Sequence, residues 1–265
     1  MDRVIIEEKD GIAFVTLNRG DKHNCMDFDM LNAVVAAQRK VRRMKHVRAI
    51  ILRGDGPSFC SGLDFKTFSK HPWRAFAGYL QLWLPWRNVF QKWSMGWRDI
   101  PVPVIALMHG SCYGAGLQLA LGADIRICTP DAKLSIMEGK WGLTPDMGGV
   151  ALLRELMPID VAKELTMTAR VFNGEDGKEI GLVTHLSSDP HKKAMEICEE
   201  ITAKSPDSVG ASKYVLQQAW SGSQYLALRA ERLWQRRLFG GKNFRISVGN
   251  GLGKDKKPFL QRRFR

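Results

Sequence analysis

Two hydrophobic periods divide this chain. Up to Pro145, short apolar runs alternate with stretches of helical spacing; beyond it only the helical spacing continues. Residues 4–6 and 12–17 flank Lys9-Asp10-Gly11 and predict a β-hairpin with a D-G turn. After a polar loop at 18–25, Asp27 stands as N-cap of a helix with Phe28, Leu31, Val34, Val35 and Val41 on one face. Residues 49–52 predict a buried strand and 54–62 a turn-rich loop. Five of the eight tryptophans (Trp73, Trp83, Trp86, Trp93, Trp97) fall between Pro72 and Trp97. Their spacing, broken at Pro85, predicts a bent helical segment, packed in the core or forming an apolar wall over a pocket. Residues 125–128 and 134–136 predict two more strands. Helices are predicted over 148–157, 161–168, 174–181, 192–203, 208–219 and 224–239, then a Gly-rich linker over 240–253 and a basic tail. Strands alternating with helices, then helices alone, predict an α/β core over 1–205 and a C-terminal helical region over 206–265.

The sharpest change of period lies within 104–122. Val104 to Met108 is an apolar run, a small-residue turn follows, and from Gly114 the pattern is helical, with Leu117, Leu119, Ala120 and Leu121 apolar. The first N–H groups of a helix lack internal partners and sit at its positive pole. Gly114, Ala115 and Gly116 keep side chains out of a ligand's path. Such a turn serves either an electronegative ligand or tight packing. A dinucleotide fingerprint is excluded, since Leu119 stands where the third glycine belongs, and no G-x-x-x-x-G-K-[ST] occurs.

Composition narrows the chemistry. With 265 residues, 45% of them hydrophobic, the chain can bury a large core. No signal-peptide core follows Met1, and no apolar run approaches the ~18 residues of a membrane span, so no membrane partner is expected. Cys25, Cys60, Cys112, Cys128 and Cys198 are scattered without a C-x-x-C pair. They predict neither a disulfide framework nor a metal site, and point to a reducing cytoplasm. The formal charge of +13 is concentrated: residues 229–265 hold twelve Lys or Arg against Glu231 and Asp255. Arg39, Lys40, Arg42, Arg43, Lys45 and Arg48 form a second cluster. Such clusters attract nucleic acid, acidic membranes or phosphate-rich cofactors, or simply face solvent.

Three segments together resemble the crotonase superfamily of enoyl-CoA hydratases and isomerases. Phe59-Cys60-Ser61-Gly62-Leu63-Asp64-Phe65 resembles its F-x-x-G-x-D loop. His109-Gly110-Ser111-Cys112-Tyr113-Gly114-Ala115-Gly116, continued by Ala123 to Arg126, resembles its second glycine loop. Met137 to Asp146 resembles the segment of its catalytic glutamate. The resemblance implies an α/β spiral of ββα units with C-terminal helices that build a homotrimer or hexamer. It implies a coenzyme A thioester as substrate and no tightly bound cofactor. By position, the N–H groups of Leu63 and Ala115 would form an oxyanion hole; two preorganised donors there stabilise an enolate-like thioester oxygen. Ser61, Asp64, Phe65 and Gly114 would line the channel, with Lys22, His23, Phe259 and Arg262 as candidates for holding the phosphates.

The carboxylates bear on the reaction. Family hydratases carry one glutamate behind the second loop and another later; here Gln118 and Glu138 occupy those positions. An amide orients water but exchanges no proton at neutral pH. Asp146 stands where the family's dienoyl-CoA isomerases carry an acid, although those enzymes also have an acid where this chain has Gln118. The resemblance therefore favours double-bond isomerisation, with Glu138 as proton shuttle and Asp146 as partner. Hydration through Glu138, assisted by Gln118 or Asp146, is the alternative, and a non-catalytic polyanion-binding protein a remote one. Nucleic acid is disfavoured for want of any RNP-like motif or zinc finger. A hydrolase using Ser61 or Cys112 with His109 lacks the G-x-S-x-G elbow. Asp146 is also placed to cap a helix beginning near Met147.

Overall fold

Asp10 and Gly11 both adopt positive φ, 53° and 75°, the geometry that a tight hairpin turn requires. They join β1 (Val4–Lys9) to β2 (Ile12–Leu17) in antiparallel register, as the sequence predicts. This computed structural model describes residues 2–253 and 256–264; Lys254, Asp255 and Arg265 of the basic tail lie outside the described residues.

The other strands are β3 (Ala49–Gly54), β4 (Val104–Met108), β5 (Ser111–Tyr113), β6 (Ile125–Cys128), β7 (Lys133–Ser135), β8 (Phe172–Asn173) and β9 (His185–Leu186). Six form one sheet in the order β1-β2-β3-β4-β6-β9, parallel except at the hairpin; β5-β7-β8 form a second, smaller sheet. The chain therefore spirals. After each of β4 and β6 it drops into the small sheet, and an isolated backbone β-bridge between Cys60 and Cys112, both free thiols, repeats that step one turn earlier.

The helices are α1 (Phe28–Arg43), α2 (Phe65–Ser69), α3 (Pro72–Leu80), α4 (Val89–Met95), α5 (Ala115–Leu121) and α6 (Gly149–Leu153). They continue as α7 (Ile159–Thr168), α8 (Gly174–Glu179), α9 (Pro190–Thr202), α10 (Pro206–Ala219), α11 (Gln224–Leu238) and α12 (Lys242–Gly251). Strands buried on both faces read as continuous apolar runs, and β2 and β4 are buried at every position. Alternation still sorts their side chains. Ala13, Val15, Ile50 and Leu52 join the main core with α1, while Ile12, Phe14, Ile51 and Ile105 meet Ala194 and Cys198 of α9. Asp27 caps α1 by accepting the Met30 N–H at 2.7 Å.

Two expectations need correction. The segment expected as a Gly-rich linker over 240–253 contains α12. Each glycine in a helix costs about 1 kcal/mol against alanine. Here Asn243, buried, donates to Asp207 at 3.0 Å and accepts the Leu260 N–H at 2.9 Å, while Asn250 exchanges two bonds with Lys257. These bonds fasten the helix to the returning tail. The helix expected over 148–157 is confined to Gly149–Leu153.

The tryptophan-rich segment divides at its break. Pro85 lies between a short 3-10 turn, Gln81–Trp83, and α4, whose N-terminus Asn88 and Gln91 close with a capping box. Trp93 and Trp97 are fully buried, whereas Trp73, Trp83 and Trp86 are exposed. Both readings of the segment hold, one for each half. Lys213 ties α10 to the core, donating to Asp124 at 2.8 Å and to the carbonyls of Trp97 and Val102.

Candidate active site

The two glycine loops meet edge to edge. Cys60 donates to Ser111 O and Tyr113 donates back to Cys60 O, both at 3.1 Å, while Met26 donates to Gly62 O at 2.7 Å. Gly62, at φ 97°, turns the first loop toward the second; a Cβ there would lie 2.9 Å from Tyr113 O and 3.9 Å from the Ala115 nitrogen. Gly114 holds φ 48° and ψ −115°, a conformation open to glycine, and starts α5. Among the described residues, neither the Leu63 N–H nor the Ala115 N–H finds an acceptor in the chain. Both residues line the same cavity. Trp93 reaches in from α4, and its indole N–H donates to Ala115 O at 2.8 Å, fixing the peptide plane beside the open donor.

Glu138 begins the 3-10 helix Met137–Trp141 and is only 8% exposed. Its Oε1 accepts from Gln118 Nε2 at 2.6 Å, while its Oε2 has no partner among the described residues. Gln118 is held from the other side, because its Oε1 accepts the N–H groups of Met147 and Gly149 at 3.0 and 2.9 Å. Two backbone donors on one oxygen fix which end of the amide faces Glu138. Ser94 adds a bond from its hydroxyl to Met147 O. Burial raises the Glu138 pKa from its ordinary value, and the Asp146 charge adds to the rise while the Gln118 hydrogen bond opposes it. Asp146 is raised by burial too. Its own surface is open because it faces the cavity, yet protein surrounds enough of it to displace water. It caps no helix, since Gly148 is the N-cap of α6.

The cavity has a volume of about 310 Å³ and brings together Ser61, Leu63, Phe65, Gly114, Ala115, Glu138 and Asp146 of the sequence-predicted residues. Gln118 stands behind Glu138 instead of on the lining. Asp64 lies outside the lining; its carboxylate pairs with Arg19 at 2.8 Å and caps α2 through Thr67. That anchors the first loop through the Asp64 side chain. Lys22 and His23 are exposed beside the first loop, where His23 O accepts the Ser61 N–H at 2.9 Å.

Phe259 packs under Arg48 with 5.8 Å to the ring centroid, and Arg262 is buried with Nη2 donating to Arg42 O at the end of α1. Within one chain neither tail residue reaches the cavity. The hydrolase alternative finds no geometry: Cys112 is fully buried with its thiol pKa pushed well up by burial, and His109 bonds Gly56 O. Among the described residues no cluster of three metal-ligating side chains occurs. Sequence reading missed Trp93 and the lining residues Met26, Phe68, Tyr79, Leu82 and Trp141. The tryptophan spacing carried a signal for Trp93 and for the segment that holds Tyr79 and Leu82, and Trp141 falls within the third motif; nothing local marked Met26 and Phe68.

Comparison with known proteins agrees with this geometry. The family model described as Enoyl-CoA hydratase/isomerase matches residues 7–262. Mitochondrial methylglutaconyl-CoA hydratase of Mus musculus is 30% identical over 223 residues, 82% of this chain and 69% of that protein. The peroxisomal Delta(3,5)-Delta(2,4)-dienoyl-CoA isomerase of Arabidopsis thaliana is 29% identical over 268 residues, 97% and 96% of the two chains. An enoyl-CoA hydratase structure from Mycobacterium smegmatis superposes with TM-score 0.86 at 24% identity, covering 98% of each chain. One from Thermoplasma volcanium gives 0.83 at 26%, covering 97% and 98%. With crotonase-fold neighbours along nearly its whole length, and relatives that act on CoA thioesters, the chain belongs to the enoyl-CoA hydratase/isomerase family of enzymes.

Proposed function

We propose that this enzyme shifts a carbon–carbon double bond along an enoyl- or dienoyl-CoA, with Glu138 and Asp146 moving the proton. The observation that carries the reading is the locked amide of Gln118. Its oxygen is committed to Met147 and Gly149 and its nitrogen to Glu138, so no second carboxylate stands there to activate water. Glu138 takes a proton from the carbon beside the thioester carbonyl; the electron pair moves onto the carbonyl oxygen, where the Leu63 and Ala115 N–H groups receive it. A proton returned at the far end of the conjugated chain, from Glu138 or Asp146, completes the shift with no change in mass.

Raised pKa values suit both acids, because a base poised nearer neutrality gives up its proton again as readily as it takes it. The expected homotrimer or hexamer, with α10–α12 at the contacts, belongs to the same proposal and is tested by sedimentation equilibrium. A second reading, hydration by Glu138 alone, is favoured by its unpartnered Oε2, which is free to hold a water, and by the mouse hydratase relative. Separate incubation with a 2-enoyl-CoA and a 3-enoyl-CoA divides the two. Gain of conjugated absorbance from the 3-enoyl substrate, lost in Glu138→Gln, supports isomerisation. Prompt loss of absorbance from the 2-enoyl substrate overturns it in favour of hydration.

A further inference from the structure

We propose that the outer face of residues 72–86 seats this protein on an anionic lipid surface, beside its acyl cavity. Three tryptophans in this stretch stand in solvent, Trp73 at 83%, Trp83 at 75% and Trp86 at 64% exposure, with Phe76, Leu80 and Leu84 exposed among them. So dense a group of large apolar side chains marks a surface that meets something else. Tryptophan suits the boundary between hydrocarbon and water, where its apolar ring and polar N–H are both satisfied.

Charge selects the occupant. From Phe65 to Arg98 the chain contains no Asp or Glu, and Lys66, Lys70, Arg74, Arg87 and Lys92 are all exposed. Arg74 pairs with Asp29 at 3.2 Å and Arg87 with Asp99 at 2.8 Å, both in solvent, which leaves the three lysines uncompensated. A second copy of this chain is a poor occupant. Its exposed apolar residues over 141–171, such as Val150, Ile159 and Met167, lie among charges of both signs that nearly balance, and those near the C-terminus, such as Trp220, Leu226 and Phe239, lie in or beside a segment that is itself strongly basic. Like charges would face each other. Basic side chains flanking exposed tryptophans fit anionic headgroups instead.

The inner face of the same segment gives the position meaning. Ala75, Gly78, Tyr79 and Leu82 line the cavity that holds Glu138, so one thin wall separates the acyl pocket from the aromatic surface. A long acyl thioester partitions into bilayers, and a wall seated in the interface meets it there. No described helix is long and apolar enough to cross a membrane, so the association is peripheral. It holds whichever reaction the acids perform.

The test is co-sedimentation of the full chain with phosphatidylcholine vesicles and with phosphatidylcholine–phosphatidylserine vesicles, at low and moderate salt. Tryptophan emission and circular dichroism are recorded in parallel. The expected result is partition at least about tenfold stronger to the anionic vesicles, a blue shift of emission on binding, and weakening with salt. The triple variant Trp73→Ser, Trp83→Ser, Trp86→Ser should lose binding about tenfold with unchanged circular dichroism, and Lys66→Glu with Lys70→Glu should lose the preference for phosphatidylserine. Absence of binding to anionic vesicles overturns the proposal. So does binding that survives in the triple variant, or a triple variant that only dissociates an oligomer whose tryptophans never shift with lipid.

Discussion

The cavity has two unlike walls. One is made of backbone and buried polar groups: the Gly62–Leu63 turn, the start of α5, and Glu138 braced by Gln118. Each group there is held by at least one partner from a distant part of the chain. The other wall, α3 and the turn after it, has cavity-lining residues on one side and solvent on the other, with Gly78 its one buried position. The first wall can hold atoms still enough for proton transfer. The second can change in shape without disturbing that geometry. On the proposed mechanism, chemistry and choice of acyl group fall to separate parts of the fold.

Changes in the rigid wall should reduce turnover far more than changes in the aromatic one. Glu138→Gln keeps the shape and the Gln118 contact but removes the proposed base, and should lower kcat by about 10²–10⁴-fold, measured with the best CoA thioester. Next in size is Ala115→Pro. Proline is tolerated at the first position of a helix, so this change removes the N–H while leaving α5 in place. Loss of one such donor lowers kcat by roughly 10²–10³-fold, with the melting temperature as the control for folding.

Gln118→Glu sets a second carboxylate against Glu138 where the amide nitrogen now stands at 2.6 Å. Like charges raise the pKa of such a pair. The acid limb of the kcat profile should lie at higher pH in this variant than in the parent, the same direction in which burial shifts Glu138. Tyr79→Ala acts on the other wall. It should cut kcat/KM for long acyl chains about tenfold and leave short ones unchanged; equal losses for both would erase the distinction between the walls.

The smallest effect is on stability. A carboxyl whose folded pKa is raised favours the folded state below its unfolded pKa and loses that advantage as pH rises through the folded value. Glu138→Gln should therefore melt higher than the parent at neutral pH. The gain should vanish once the solution is acidic enough to protonate Glu138 in both states, as thermal melts across pH would show.

Most of the scaffold was legible because its signals are local. The Asp10-Gly11 turn, the Asp27 cap and the apolar runs of β2 to β4 each declare themselves within a few residues. Motif position marked Glu138 and Asp146, and both line the cavity. The Gln118 brace was not legible, since it depends on Met147 and Gly149, 29 and 31 residues away. Nor could helical spacing say that Trp93 would turn inward to Ala115 and Trp83 outward, because the direction changes at Pro85. The ion pair of Asp64 was hidden for the same reason: its partner Arg19 lies 45 positions earlier. Glycines at 249 and 251 hid α12, whose support comes from side chains that bind the returning tail.

Isotope tracing tests the proposed chemistry most directly. A 3-enoyl-CoA and the matching 3,5-dienoyl-CoA are incubated with the enzyme in H₂¹⁸O and, separately, in D₂O, and the products are weighed by mass spectrometry. Isomerisation by Glu138 and Asp146 predicts a conjugated product that carries no ¹⁸O and whose deuterium, where it exchanges with solvent, is only on carbon, with formation of that product lost in Glu138→Gln. A 3-hydroxyacyl-CoA that carries ¹⁸O, forms as fast as any rearranged product and depends on Glu138 would contradict it and make the enzyme a hydratase.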